Sequence, residues 1–274
     1  MLSNISPIVS DIHAQSMNSG DVPAISVVIP TKNEARNIAY VLGRIPTWVD
    51  EVILVDGDST DGTVEVARSL MPEIRVVSQD RPGKGAALRS GFAAAGGDIV
   101  VMLDADGSMD PGEIPVFVGA LLAGADFVKG SRFIQGGGTD DMEWYRRLGN
   151  WGFVKIVTLL FGGRYSDLCY GYAAFWRDIL DHLSLERDDG FEIETSMNIQ
   201  VLNARLSVHE LPSIEAARRH GVSNLRTIPD GWRVLTTILR FGFQRHGGRA
   251  SAHLPKRRPA RLRNMPGGGR VAGS

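Results

Sequence analysis

Cysteine is nearly absent. Among 274 residues only Cys169 carries a thiol. That excludes an intrachain disulfide framework and a thiolate-rich zinc site, and it points to a reducing compartment. Long apolar runs are missing too. The longest block, FVKIVTLLF at 153–161, is short and holds a lysine, whereas a bilayer span needs roughly 18–20 apolar residues. The first residues offer neither a basic start nor an apolar stretch, so no secretory signal is expected. No G-x-G-x-x-G follows the first apolar run, which argues against a dinucleotide dehydrogenase. Gly83–Lys84 is no Walker loop, because Ser78 stands where the first glycine is needed. There are no internal repeats. Acid is missing from one region: from Gly231 onward ten Lys and Arg face no Asp or Glu. The formal net charge of −1 therefore hides an acidic body, twenty basic against thirty-one acidic groups, and a basic tail. Such asymmetry suggests an anionic partner for the tail.

The residues present are ample for a core. With 43% hydrophobic residues the chain is not disordered throughout, and its length fits one large domain or two small ones. Apolar runs alternate with helical stretches. ISVVIP (25–30), EVILVD (51–56), IRVVS (74–78), DIVVMLD (98–104) and ADFVKG (125–130) read as buried strands. Glu34 to about Arg44, Thr63–Leu70, Gly85–Ala95 and Pro111–Ala123 read as the helices between them. This alternation predicts an α/β fold with a mostly parallel sheet and helices on both faces. Beyond residue 130, QGGGTDD (135–141) is expected to be a mobile loop. Glu143–Phe161 reads as one or two helices, YGYAAFW (170–176) as a strand, Glu192–Asn203 as a helix and LSVHELP (206–212) as a strand. Pro229 predicts a helix starting there and running to about Phe243.

Ligands of such sheets bind at the carboxyl ends of the strands, and there the polar clusters lie. DADGS (104–108) is the strongest. Two carboxylates two residues apart in a partly desolvated cleft cannot both stay ionised and unpaired. Asp104 and Asp106 therefore predict a divalent cation, with all-oxygen ligands suiting Mg²⁺ or Mn²⁺ and a substrate phosphate. A plain strand-end turn is the alternative. A calcium EF-hand fails, since Ser108, Met109 and Pro115 stand at its fifth, sixth and twelfth positions. MLDADGS is also similar to the motif of haloacid dehalogenase-type phosphatases, although theirs lies on the first strand. In DGDSTDGT (56–63), Asp56 is placed to accept hydrogen bonds from a base or ribose, unless this turn only caps the next helix. In PTKNE (30–34), Asn33 is a capping candidate and Glu34 faces the cleft. Lys84 lies at a helix start, a natural place for an anion.

Together and in order, P-x-x-N-E, V-D-x-x-S-x-D-G-T, G-K-G, D-A-D and K-G-S-R-F resemble the family 2 glycosyltransferases of the A-type nucleotide-sugar fold. The resemblance continues through RRLGN (146–150), DLCYGYAAFWR (167–177), GFEIE (190–194) and R-x-x-G-x-S (218–223). It covers about residues 24–240 and favours the dolichyl- and polyprenyl-phosphate sugar transferase branch. It implies a Rossmann-like A-type fold with a C-terminal amphipathic helix, and inverting transfer from a UDP- or GDP-sugar with Mg²⁺ or Mn²⁺. It assigns Pro30, Thr31, Glu34, Asp56, Asp58 and Lys84 to the nucleotide-sugar, and Asp104 and Asp106 to metal and diphosphate. Arg132, Arg147, Arg218 and Ser223 fall to the acceptor. Asp58, Ser108 and Asn224 depart from that branch's usual residues. A phosphate acceptor is already an anion and needs positioning arginines rather than a base. A hydroxyl acceptor needs a carboxylate; Glu192, Glu194 and Asp189 are candidates, with Glu192 taken as the catalytic one.

The implied organisation is a flexible lead (1–22) and a glycosyltransferase domain (23–225). That domain divides into a nucleotide-sugar part to about 133 and an acceptor part from about 134. A C-terminal helix (226–246) and a disordered basic tail (247–274) follow. A polyprenyl phosphate acceptor demands peripheral contact with an anionic membrane surface, on the cytoplasmic face. Trp144–Phe161 and Gly231–Phe243 are basic and amphipathic enough to supply it. The latter is expected to put Trp232, Leu235, Ile238, Leu239 and Gly242 on one face. KRRPARLR (256–263) adds charge. The competing expectation is that both helices simply pack on the sheet. No nucleic-acid partner is expected, since the tail holds no aromatic residue to stack on bases.

Overall fold

The computed structural model describes residues 22–140 and 142–246. The expected lead and basic tail, and Asp141 of the glycine-rich segment, lie outside the described residues.

The strands are β1 (Ile25–Thr31), β2 (Glu51–Asp56), β3 (Arg75–Ser78), β4 (Ile99–Met102), β5 (Phe127–Ser131), β6 (Gly138–Thr139), β7 (Ala173–Trp176), β8 (Val208–Pro212) and β9 (Ile214–Glu215). The α-helices are α1 (Ile38–Leu42), α2 (Thr63–Leu70), α3 (Lys84–Ala94), α4 (Ile114–Leu122), α5 (Trp144–Phe161), α6 (Glu192–Asn203) and α7 (Thr227–His246). Seven strands form one sheet in the order β3-β2-β1-β4-β7-β5-β8. All neighbours are parallel except β7, which runs antiparallel to β4 and β5. The fold is the expected mostly parallel α/β sheet. Central β1 and β4 are uninterrupted apolar runs because both faces are covered. Edge strand β3 is only half-buried, as its position at the end of the sheet requires.

This topology assembles the site. The carboxyl ends of β1, β2, β4 and β5 share one edge, bringing Thr31, Asp56, Asp104 and Arg132 to the same side. Antiparallel β7 enters from that edge, so the preceding residues 167–171 also lie there. Parallel β8 leaves at that edge and delivers Glu215 on β9.

Three expectations need correction. The first helix is only Ile38–Leu42; Asn33 is left-handed at φ 57°, and residues 34–37 form a turn around the Glu34 carbonyl. The glycine-rich segment is not wholly loop. Gly138–Thr139 pairs with Ile214–Glu215, and the Thr139 hydroxyl donates to Glu215 Oε2 at 2.6 Å. The last helix begins at Thr227, with Pro229 inside its first turn, where a missing N–H costs nothing. Trp232, Leu235, Ile238, Leu239 and Gly242 fall within about 120° of one another around this helix, as expected, and that face is unevenly covered. Val234 and Ile238 are buried with Val157 and Phe161 of α5 in a second core cluster, whereas Trp232, Leu239 and Phe243 are exposed. Helix α5 is one continuous helix of 18 residues.

Candidate functional site

A cavity of about 530 Å³ opens at the shared strand edge. Pro30, Thr31, Glu34, Lys84, Asp104 and Asp106 line one side; Arg132, Arg218 and Ser223 also reach it. The sequence motifs therefore converge on one space.

The charges around Asp104 and Asp106 are tightly paired. Lys84 Nζ lies 2.6 Å from Asp104 Oδ1 and 2.7 Å from Glu194 Oε1. Burial alone would lower the lysine pKa, but the two carboxylates outweigh it and hold the ammonium charged. Asp104 is pushed up to about 6, chiefly by burial and then by the charges of Asp106 and Glu194, with Lys84 opposing. Gly107 takes a left-handed φ of 76°, which turns the chain back so that Ser108 N and Oγ donate to Asp106 Oδ1 at 3.0 and 2.7 Å. Arg218 bridges Glu34, at 2.8 Å, and Asp106, at 3.3 Å. Glu34 is itself held by Asn37 Nδ2 at 2.5 Å. Two carboxylates two residues apart, one carrying a raised pKa, are a donor set that suits a hard divalent cation.

The helix start beside Lys84 is not open to an anion. The N–H groups of Gly85 and Ala86 donate to the Asp189 carbonyl at 2.8 and 3.3 Å. A Cβ on Gly85 would collide with the Asp188 carbonyl oxygen. The glycines beside Lys84 thus seat this loop against α3 rather than cradle a phosphate.

Other assignments shift by a residue or two. Glu192 turns back to accept from Gly190 N at 2.9 Å and does not line the cavity. Glu194, two positions on, does. The same holds for RRLGN: Arg146 lines the cavity, while Arg147 is exposed over the Phe133 ring at 5.3 Å. Asp56 sits at the β2 end, where its carboxylate accepts from Ser59 N, and Asp58 is exposed at φ 59°. Neither lines the cavity.

Arg132 reaches the cavity wall, but its donors are committed. Nε and Nη2 donate to Asp167 at 2.7 and 2.9 Å, and Nη1 donates to both Glu215 oxygens at 3.0 Å. Burial alone would raise the Asp167 pKa; the guanidinium outweighs it and holds the carboxyl below its usual range. Asn150 Oδ1 accepts from Leu168 N and Cys169 N, fixing the same turn. Burial pushes the Cys169 thiol up to about 12, so it is inert at neutral pH.

Sequence reasoning missed Gln79, Arg146, Phe191, Arg226 and Arg233, all of which line the cavity. Among the described residues, no carboxylate lies within ion-pair distance of Arg146, Arg226 or Arg233. Nothing in isolated residues distinguishes these arginines from solvated ones.

The sequence profile of the family described as glycosyl transferase family 2 matches residues 26–184. Polyprenol monophosphomannose synthase of Mycolicibacterium smegmatis is 31% identical over 211 residues, covering 73% of this chain and 80% of that protein. Dolichol-phosphate mannosyltransferase of Pyrococcus furiosus is 30% identical over 211 residues, covering 74% of this chain and 59% of its own length. Glucosyl-3-phosphoglycerate synthase from Mycobacterium tuberculosis, solved with Mn²⁺, UDP and its product, superposes with a TM-score of 0.66. It is 28% identical, over 85% of this chain and 83% of that one. These are transferases, and D-A-D-G-S follows the fourth strand rather than the first. The haloacid dehalogenase-type reading is set aside. With the profile covering more than half of the sequence and the fold and motif order agreeing, the chain belongs to glycosyl transferase family 2.

Proposed function

We propose that this enzyme moves a sugar, with inversion, from a UDP- or GDP-sugar to a polyprenyl phosphate, using Mg²⁺ or Mn²⁺. One observation carries the reading. The cavity has paired carboxylates, Asp104 and Asp106, on its donor side, and three cations without carboxylate partners among the described residues, Arg146, Arg226 and Arg233. The names of the Mycolicibacterium and Pyrococcus relatives support a polyprenyl-type phosphate. The solved relative supports the metal and the nucleoside diphosphate.

Asp104 and Asp106 would hold the cation, which stabilises charge building on the departing diphosphate. Lys84 fixes Asp104 and Glu194 by pairing with both. Pro30, Thr31, Glu34 and Gln79 wall the nucleotide side. An acceptor phosphate is already nucleophilic at neutral pH, so Arg146, Arg226 and Arg233 need only orient it for attack on the anomeric carbon. Arg132 holds Glu215 and the β6–β9 pair around it. No general base is required, and Glu194 serves as the partner of Lys84.

A lipid acceptor requires a membrane surface. No described helix is long and apolar enough to cross one. Helices α5 and α7 line the cavity and expose Trp144, Trp151, Leu159, Trp232 and Phe243, which supports peripheral docking. The basic run 256–263 would add attraction to anionic lipid on the cytoplasmic face. A soluble phosphorylated acceptor is the second reading, favoured by the solved relative's bound product.

The test is release of UDP or GDP from a nucleotide-sugar panel with Mn²⁺, with and without polyprenyl phosphate. Turnover that depends on polyprenyl phosphate and vanishes in Asp106→Ala is expected. Lipid-independent transfer to a small phosphorylated acceptor supports the second reading. Absence of nucleotide binding by calorimetry refutes both.

A further inference from the structure

We propose that Arg240 of α7 is a positioning residue for the donor site, acting through Asp188. The inference rests on the reading that Lys84 and Asp104 belong to that site.

Asp188 is 1% exposed and does not line the cavity. Its Oδ1 accepts from Arg240 Nη2 at 2.7 Å. Its Oδ2 is buried without a hydrogen-bond partner. A buried carboxylate with one oxygen unsatisfied is costly, and Arg240 is the cation that offsets it. The backbone around it is clamped from the opposite side. Arg89 of α3 donates to the Asp188 carbonyl at 2.6 Å and to the Leu185 carbonyl at 3.1 Å. The Asp189 carbonyl accepts from Gly85 and Ala86 at the α3 start. The loop 185–190 is therefore wedged between α3 and α7.

The residues just after this loop enter the site. The Phe191 ring lies 5.5 Å from Lys84 Nζ, and Glu194 ion-pairs with the same atom. Lys84 thus depends on the segment that Arg240 fixes in two ways: Gly85, its backbone neighbour, bonds to the loop, and Glu194, its side-chain partner, extends from it. Helix α7 touches the loop a second time: a Cβ on Gly190 would lie 2.7 Å from Arg233 Nη1. Because close-packed elements shift as units, releasing Asp188 moves Glu194 and hence the lysine that holds Asp104. The effect falls chiefly on donor geometry, because Gly85 and Glu194 both lead from the loop to Lys84.

The experiment measures UDP and GDP affinity by calorimetry with Mn²⁺, together with donor and acceptor KM, on the full chain. Arg240→Ala is expected to weaken nucleotide binding and raise donor KM about tenfold, with acceptor KM changed by less than about threefold, since Arg233 only borders the loop. Arg240→Lys restores the countercharge and is expected to recover most of the loss. Asp188→Asn keeps the volume and an acceptor for Arg240, and is expected to raise donor KM about threefold. If Arg240→Ala does not fold, Asp188→Asn carries the test. Unchanged donor affinity in the testable variant overturns the proposal. So does a loss shared equally by donor and acceptor KM, or a lysine variant no better than the alanine one. Lys84→Ala separates the two levels. If it leaves nucleotide affinity intact, the donor-site reading fails. If it weakens affinity while Arg240→Ala does not, only the role of Arg240 fails.

Discussion

Asp104→Asn should make the ligand-free protein more stable while removing its metal-dependent nucleotide binding. The carboxyl pKa rises from 3.8 to about 6 on folding, because burial and the nearby Asp106 and Glu194 charges outweigh Lys84. Ionised Asp104 therefore costs folding about 3 kcal/mol, at roughly 1.4 kcal/mol per pKa unit. For an acid with a raised folded pKa, that penalty is absent well below pH 3.8 and nearly complete above about 6. Asparagine resembles the protonated acid in shape and carries no charge. At pH 8 the variant should melt about 5–10 °C higher. Near pH 5 about half of the difference should remain, and near pH 4 about a fifth. Adding Mn²⁺ and UDP should then raise the melting temperature of the wild type and not that of the variant. Scanning calorimetry at the three pH values checks this. A variant that melts lower at pH 8, or a gain independent of pH, refutes the crowded-carboxylate argument. Such a trade of stability for a charged site is common where function needs an unfavourable arrangement.

Glu194→Gln should cost transfer about tenfold to a hundredfold in kcat/KM by loosening Lys84, while Glu192→Gln should keep near-wild-type rates because Glu192 faces Gly190. Gly171→Ala would place a methyl 2.6 Å from Glu194 Oε1 and 2.9 Å from Lys84 Nζ; calorimetry should show weaker nucleotide binding with the fold retained. Arg132→Ala should cost about 3–5 kcal/mol in denaturant unfolding, since Asp167 at 0% exposure would lose its partner. Arg147→Ala should change stability by less than about 0.5 kcal/mol and leave acceptor KM alone, whereas Arg146→Ala should raise acceptor KM.

Much of the fold was legible because it rests on local pattern. The uninterrupted runs at Ile25 and Ile99 announce strands covered on both faces, and the apolar–helical alternation announces parallel order. The direction of β7 was not legible. YGYAAFW says strand, but antiparallel placement between β4 and β5 depends on where α5 and its loops return the chain. The Gly138–Thr139 pairing was hidden for a related reason. Three glycines carry no periodicity, and the partner at Glu215 lies far along the sequence.

The site was legible as a set of residue types and not as a set of partnerships. A sequence displays Lys84, Arg132, Arg146, Arg147 and Arg218 as equivalent cations. Folding sorts them by the carboxylates it brings along. Arg132 meets Asp167 and Glu215 and becomes a buried strut. Arg218 meets Glu34 and Asp106 and ties the end of β1 to the D-A-D-G-S turn. Lys84 meets Asp104 and Glu194 and is held between them. Arg146, one helical step from outward-facing Arg147, keeps its charge for the cavity. Since one residue turns a helix by about 100°, a motif fixed to within one position leaves the facing side chain undecided. The same arithmetic separates Glu192 from Glu194 at the head of α6. Ion pairing rather than charge count thus decides which groups remain to meet a substrate. The groups left over in the cavity wall are Arg146, Arg226 and Arg233, which pair with no carboxylate among the described residues and so suit an anionic ligand.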